Sequence, residues 1–290
     1  MRGTNLLTLI DASLRDAPPE ALAFFERERS AARERLAAGS SAADVAEVVL
    51  GAADGLEPLV AELSRDRPPA CGRGCSRCCH GLKIEVSAPE AIAIAAFLSG
   101  LTPEELAETR AQMAEEAAFA KTLDAETRWR DQTPCAFLED SSGECVIHPV
   151  RPFTCRAHTS MSVEKCEAAA RDPERLTPID KHPIPASIFG MAKSAITVAC
   201  ADAKLDPRSF ELTNAVSVAL DEPHAAERWS RGELLFDAAV IPSDDRDAEL
   251  SLESLARQGL LPPERLFKRP LGPTARNAAK RARKRRGRLR

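Results

Sequence analysis

Four cysteines fall within nine positions of this chain, as Cys71–Gly72–Arg73–Gly74–Cys75–Ser76–Arg77–Cys78–Cys79. Apolar packing has no use for adjacent cysteines in a loop this rich in Gly, Arg and Ser. A soft cation does, because a glycine-bearing loop lets several thiolates converge on one point. Three further thiols follow on turn-rich backbone, in Pro134–Cys135–Ala136–Phe137–Leu138, Gly143–Glu144–Cys145–Val146–Ile147–His148 and Arg151–Pro152–Phe153–Thr154–Cys155–Arg156. Cys166 adds another on a short predicted helix. The candidate metal ligands are therefore Cys71, Cys75, Cys78, Cys79, Cys135, Cys145, Cys155 and Cys166. The ninth cysteine, Cys200, lies among Ile196, Val198 and Ala199 at helical spacing and reads as core.

Compartment bears on how those thiols are read. Near the N-terminus Leu6, Leu7, Leu9 and Ile10 are followed at once by Asp11, then Arg15–Asp16, without a small-residue cleavage site. A helix start and a cytoplasmic location are expected. The apolar runs Ala91–Leu98 and Ala195–Cys200 fall short of the roughly 18 residues that cross a bilayer, so no membrane partner is expected. Cytosolic thiols stay reduced, and clustered ones there are metal ligands or catalytic groups more often than disulfides.

The surrounding chain predicts a mostly α protein, with an irregular, loop-rich cysteine centre and one short strand element. Residues 1–66 read as an N-terminal helical segment. Within it Leu22, Phe25, Arg29 and Ala32 keep helical spacing, and a further helix runs from Ser41 towards Leu63. Residues 67–172 read as the cysteine-cluster domain. There Leu82, Ile84 and Val86 alternate as a strand, Ser87 with Glu90 caps a helix to Leu98, and Thr102 with Glu105 starts one from Pro103 to about Arg130. Pro134 begins an irregular stretch, and a helix covers Ser162–Arg171. Residues 173–273 read as a C-terminal helical segment, with helices over Ala186–Leu205, Ser209–Leu220 and Ala248–Gln258.

At its cysteines the chain resembles the YkgJ-like cysteine-cluster family, a zinc- or iron-chelating group with a CxxCxxCC-type domain. The family pattern is a cysteine knuckle, then a C-P-F-L-like stretch, then C-x-I-Y-x-x-R-P-x-x-C-R. Both halves occur here in order between Cys71 and Cys166, with Ala136 where the family has Pro and His148 where it has Tyr. The resemblance implies a metal ion as partner, zinc or iron, or an iron–sulfur cluster; tetrahedral thiolate sites suit each. A similar cluster occurs in flagellin lysine N-methylases, which makes an iron–sulfur-dependent modification enzyme the alternative reading. The C-x3-C-x2-C spacing also occurs in radical S-adenosylmethionine enzymes. Those have an aromatic residue before the third cysteine and repeated strand–helix units, where this chain has Arg77 and helices. Arg151 and Arg156 are candidate donors to the thiolates. His80, His148 and His158 read as loop neighbours of the site, and His182 and His224 receive no role.

Charge is segregated at the C-terminus. Residues 274–290 hold nine Arg or Lys and no acid, which leaves 31 basic against 44 acidic residues elsewhere, a balance of −13. This segment reads as a disordered basic tail and a candidate contact for nucleic acid, the ribosome or another polyanion. Deleting 274–290 is expected to leave metal content unchanged and to abolish low-salt retention on nucleic acid. Retention that persists unchanged in high salt would point to a different surface.

Overall fold

The computed structural model describes residues 17–72, 74–120, 125–139, 142–175 and 179–240, together with Ile10 and Leu14. Helix starts follow local side-chain chemistry. Helix α1 (Pro19–Ala37) opens on a proline, whose missing amide hydrogen is not needed there. Helix α2 (Ala42–Leu63) opens on a capping box: Ser41 Oγ accepts from Asp44 N at 3.2 Å and the Asp44 carboxylate accepts from Ser41 N at 3.3 Å. Helix α3 (Ala88–Leu98) has the predicted box of Ser87 and Glu90. Ala91, Ile92, Ala93 and Ile94 are all buried, so α3 is covered on every side and runs through the centre.

Helix α4 (Pro103–Ala120) and helix α5 (Ala125–Arg130) replace the single helix expected from Pro103 to Arg130; residues 121–124 lie outside the described residues. Helix α6 (Phe153–Ala157) puts a helical turn into a stretch expected to be irregular, because Pro152 leads it in and its carbonyl accepts from Arg156 N at 3.0 Å. Helix α7 (Val163–Arg171) lies where expected, and Ser162 caps it. Helix α8 (Pro183–Asp202) begins three residues before the predicted Ala186, because His182 caps it. Strand β1 (Glu85–Val86) pairs antiparallel with β2 (Phe210–Glu211), in the register Glu85↔Glu211 and Val86↔Phe210. The helix expected from Ser209 accordingly starts later, as α9 (Leu212–Asp221), where Glu211 accepts from the amides of Thr213 and Asn214. A short α10 (Ala225–Ser230) was not foreseen. The helix expected over Ala248–Gln258 and the basic tail lie outside the described residues.

The chain is mostly helical, and among the described residues its only sheet is the β1–β2 pair. Helix α1 lies on α8 and α2, α2 on α3, α6 on α8, and α9 on α3 and α4. Leu56, Ile94, Leu98, Ile188, Phe210, Trp229 and Phe236 are fully buried among them. Phe137, Ile147 and Phe153 from the cysteine-bearing loops enter the same core, with the Phe153 ring centroid 5.9 Å from that of Phe189. Truncating such a ring to alanine removes about 3–5 kcal/mol. Helix α8 is 20 residues long and, by length and composition, apolar enough to cross a bilayer, which the reading of uninterrupted apolar runs overlooked. In this fold 72% of its most apolar window is buried inside the protein.

His182, given no role by the sequence, joins two segments. Its Nδ1 accepts from Ile184 N at 3.2 Å, so Nε2 carries the proton and donates to the Arg67 carbonyl oxygen at 2.7 Å. His182→Ala removes the cap and leaves that carbonyl unpaired, and should lower stability by about 2–4 kcal/mol in denaturant titration. His182→Asn should recover part of the loss by restoring the cap alone. A second expectation concerns Cys200, 1% exposed, whose thiol burial pushes up from 9.0 to about 12. Above pH 9 the unfolded chain releases this proton while the folded chain keeps it. Stability then falls with rising pH, by up to about 1.4 kcal/mol per pH unit until the folded value is reached. Denaturation of Cys200→Ala between pH 9 and 11 should show a shallower decline than the parent protein; equal slopes would refute this account.

Candidate metal centre

The cysteine knuckle is built by its own backbone. Cys75 N donates to Gly72 O at 3.2 Å, Cys79 N to Ser76 O at 2.8 Å, and Arg77–Cys79 form one tight 3-10 turn. Gly81 has φ +111°, and a Cβ there would lie 2.9 Å from the Trp129 Cα, so the exit from the knuckle requires glycine. Two later segments close on the turn. Cys135 N donates to Cys79 O at 2.8 Å beside a bridge between His80 and Pro134. Leu138 pairs with Cys145, which sets 135–139 against 142–145 as a small hairpin. On the other side Ala70 N donates to Ser160 O at 2.8 Å, and Ser160 N donates to Cys71 Sγ at 3.3 Å.

Beneath the hairpin lies a buried carboxylate the sequence reading missed. Glu116, 4% exposed, accepts from Ala136 N at 3.0 Å, from Thr213 Oγ1 at 2.5 Å and from the Arg128 guanidinium. Arg128 also donates to Leu82 O at 3.0 Å. The signal was present in the spacing: Leu106, Thr109, Met113 and Glu116 recur on one face of α4, so an acid falls where apolar residues point inward. Glu90 does the same for Cys155. One of its oxygens caps α3, and the other accepts from Phe153 N, at the start of α6, at 2.8 Å.

All nine cysteines are free. Cys71 has Cys75, Cys78 and Cys166 as electrostatic neighbours, and Cys166 has Cys75 and Cys78. Cys78 hydrogen-bonds Cys79 and is also a neighbour of Cys145 and Cys155; Cys135 neighbours Cys155 and Cys145. These pairwise relations link the thiols to one another through Cys78, and Cys200 lies apart on α8. Burial holds the thiols of Cys71, Cys135, Cys145, Cys155 and Cys166 above the ordinary range. For Cys78 the hydrogen bond with Cys79 is the larger cause, with burial second. Arg151 acts in the opposite sense on Cys78, Cys145 and Cys155, since a cation nearby favours thiolate.

Among the described residues, no three His, Cys, Asp or Glu side chains are arranged around a common point that could hold a metal ion as they stand. The chemistry of the cysteines fits a soft cation: the donors are sulfur, unlinked and pooled. A second observation agrees. Arg151 Nε is buried without a hydrogen-bond partner, next to three of these sulfurs, where a thiolate would accept from it. Arg156 behaves differently from expectation. Its guanidinium faces Arg151 O, Pro149 O and Glu57, so it ties the loop to α2 instead of facing the thiols. His148 is exposed, with Nε2 3.2 Å from Arg151 Nη1, and burial followed by the Arg151 charge lowers its pKa.

Searches of curated proteins and of solved structures find no match to the chain. A family model does match, over residues 70–174, under the description "Putative zinc- or iron-chelating domain". That span takes in the knuckle, the hairpin, α6 and α7, and so all eight pooled thiols. Residues 70–174 therefore match the model of the CxxCxxCC-type domain, the YkgJ-like group that the cysteine spacing resembles.

Proposed function

We propose that this protein chelates zinc or iron through thiolates drawn from Cys71, Cys75, Cys78, Cys79, Cys135, Cys145, Cys155 and Cys166. The observation that carries this reading is a set of unlinked thiols joined pairwise through Cys78, beside an arginine whose buried Nε has no hydrogen-bond partner. A bound cation would add a cross-link between the knuckle and the later cysteine segments. Four thiolates around a divalent ion carry an excess of about two negative charges, and Arg151 is the side chain positioned to offset part of it. Each thiol must release its proton to bind, and burial opposes that release, so metal uptake is expected to strengthen as pH rises.

The decisive experiment is metal and acid-labile sulfide analysis of full-length protein purified without oxygen. Zinc or iron in stoichiometric amount is expected, and sulfide distinguishes an iron–sulfur cluster from a mononuclear site. Cys78→Ser should lose metal and thermal stability together, whereas Cys200→Ser should keep its metal. Failure of the reduced protein to take up either Zn(II) or Fe(II) would overturn the reading.

A further inference from the structure

Resting on the chelating reading, we propose that Lys193 is a positioning residue of the metal centre, which aims Cys155 by holding Thr154. Lys193 is the one charged residue of α8 before Asp202. Its neighbours Met191, Ala192, Ala195 and Ile196 belong to the core, and its own side chain is 11% exposed. A lysine is almost never buried in this way unless its ammonium is paired. Here Nζ donates to Thr154 Oγ1 at 2.9 Å and to Glu85 O at 3.0 Å, with the Glu85 carboxylate 3.9 Å away. Thr154 Oγ1 in turn donates to Glu85 O at 2.8 Å. That hydroxyl is therefore where α8 and β1 both grip α6, one residue before Cys155.

The grip matters because α6 is small. Its five residues make little more than one turn, too few to hold a direction on their own. Successive side chains on a helix stand about 100° apart, so fixing Thr154 against α8 and β1 sets the direction in which Cys155 leaves the turn. Phe153 and Arg156 anchor the two ends, at Glu90 and Glu57. Lys193 acts between them, beside the cysteine itself.

The same contacts separate positioning from stability. Without the ammonium, Glu85 O still accepts from Thr154, and the Glu85 carboxylate, on a side chain 22% exposed, reaches water. No buried group is left unpaired, and an apolar side chain of similar length in place of a buried charge is often neutral or stabilising. Loss of Lys193 therefore falls on the aim of Cys155 and spares the fold.

The test compares the full-length parent protein with Lys193→Met, Thr154→Val and the double variant under reducing conditions. In competition with a chromophoric chelator, Lys193→Met should bind Zn(II) about tenfold more weakly. Its metal-free melting temperature should stay within about 3 °C of the parent. In metal-free protein Cys155 should be alkylated several-fold faster than in the parent, while Cys135 and Cys200 keep their rates. The double variant should bind no more weakly than Thr154→Val alone, because Lys193 acts through that hydroxyl. Thr154→Val exchanges one hydroxyl for a methyl and decides the matter should Lys193→Met fail to fold. Parental affinity and alkylation in both single variants would overturn the positioning role and leave chelation standing. Additive losses in the double variant, or a rise in labelling shared by all the thiols, would do the same. A parent protein that takes up no metal overturns chelation, and the alkylation rates then still decide whether Lys193 sets Cys155.

Discussion

Removing one partner of a buried ion pair is strongly destabilising, by about 3–5 kcal/mol, because the other charge is left uncompensated. Glu116 imposes that constraint on this fold. Its carboxylate is met by Arg128 from α5, Thr213 from α9 and the amide of Ala136 beside Cys135. Three separate parts of the chain must therefore converge on α4, and the hairpin bearing Cys135 and Cys145 is held where they meet. Glu90 repeats the device on a smaller scale, with one carboxylate capping α3 and holding the first amide of α6. These carboxylates, together with the buried Phe137, Ile147 and Phe153, fasten the cysteine loops to the helices.

Gathering thiols in such a place sets proton and metal in competition. A thiol packed among other thiols and partly out of water holds its proton more tightly, and the neighbouring sulfurs strengthen that preference at Cys71, Cys135, Cys155 and Cys166. A soft cation reverses the preference, since it offsets the charge that each sulfur would otherwise present to the next. Many sulfurs with few compensating cations hold protons on the thiols, and the same crowding would favour a soft cation in their place.

Much of this was legible in the sequence where chemistry is local. The capping boxes at Ser41 and Ser87, the cap at Ser162 and the knuckle are all short-range patterns, and each is found where its residues indicate. The helical class followed from the same signals, and Cys200 was correctly read as core from its apolar neighbours. What escaped depends on partners distant in the chain. The strand at Phe210–Glu211 exists because Glu85–Val86 lies beside it, more than a hundred positions earlier. His182 looked like a linker residue until Arg67 O came within reach, and Arg156 looked like a donor to thiolate until Glu57 was found to engage it. Long-range pairing decides those cases, and a single sequence does not display it.

The amide of Ala136 carries one more implication, concerning descent. This is the position where the related pattern has proline, and proline has no N–H to give. In a relative with proline there, the acid corresponding to Glu116 would lose its contact with the cysteine loop. It would then need another donor or give way to a neutral residue. The hydrogen bond thus ties two positions twenty apart in the chain: the acid in α4 keeps this partner only while the residue after the cysteine is not proline.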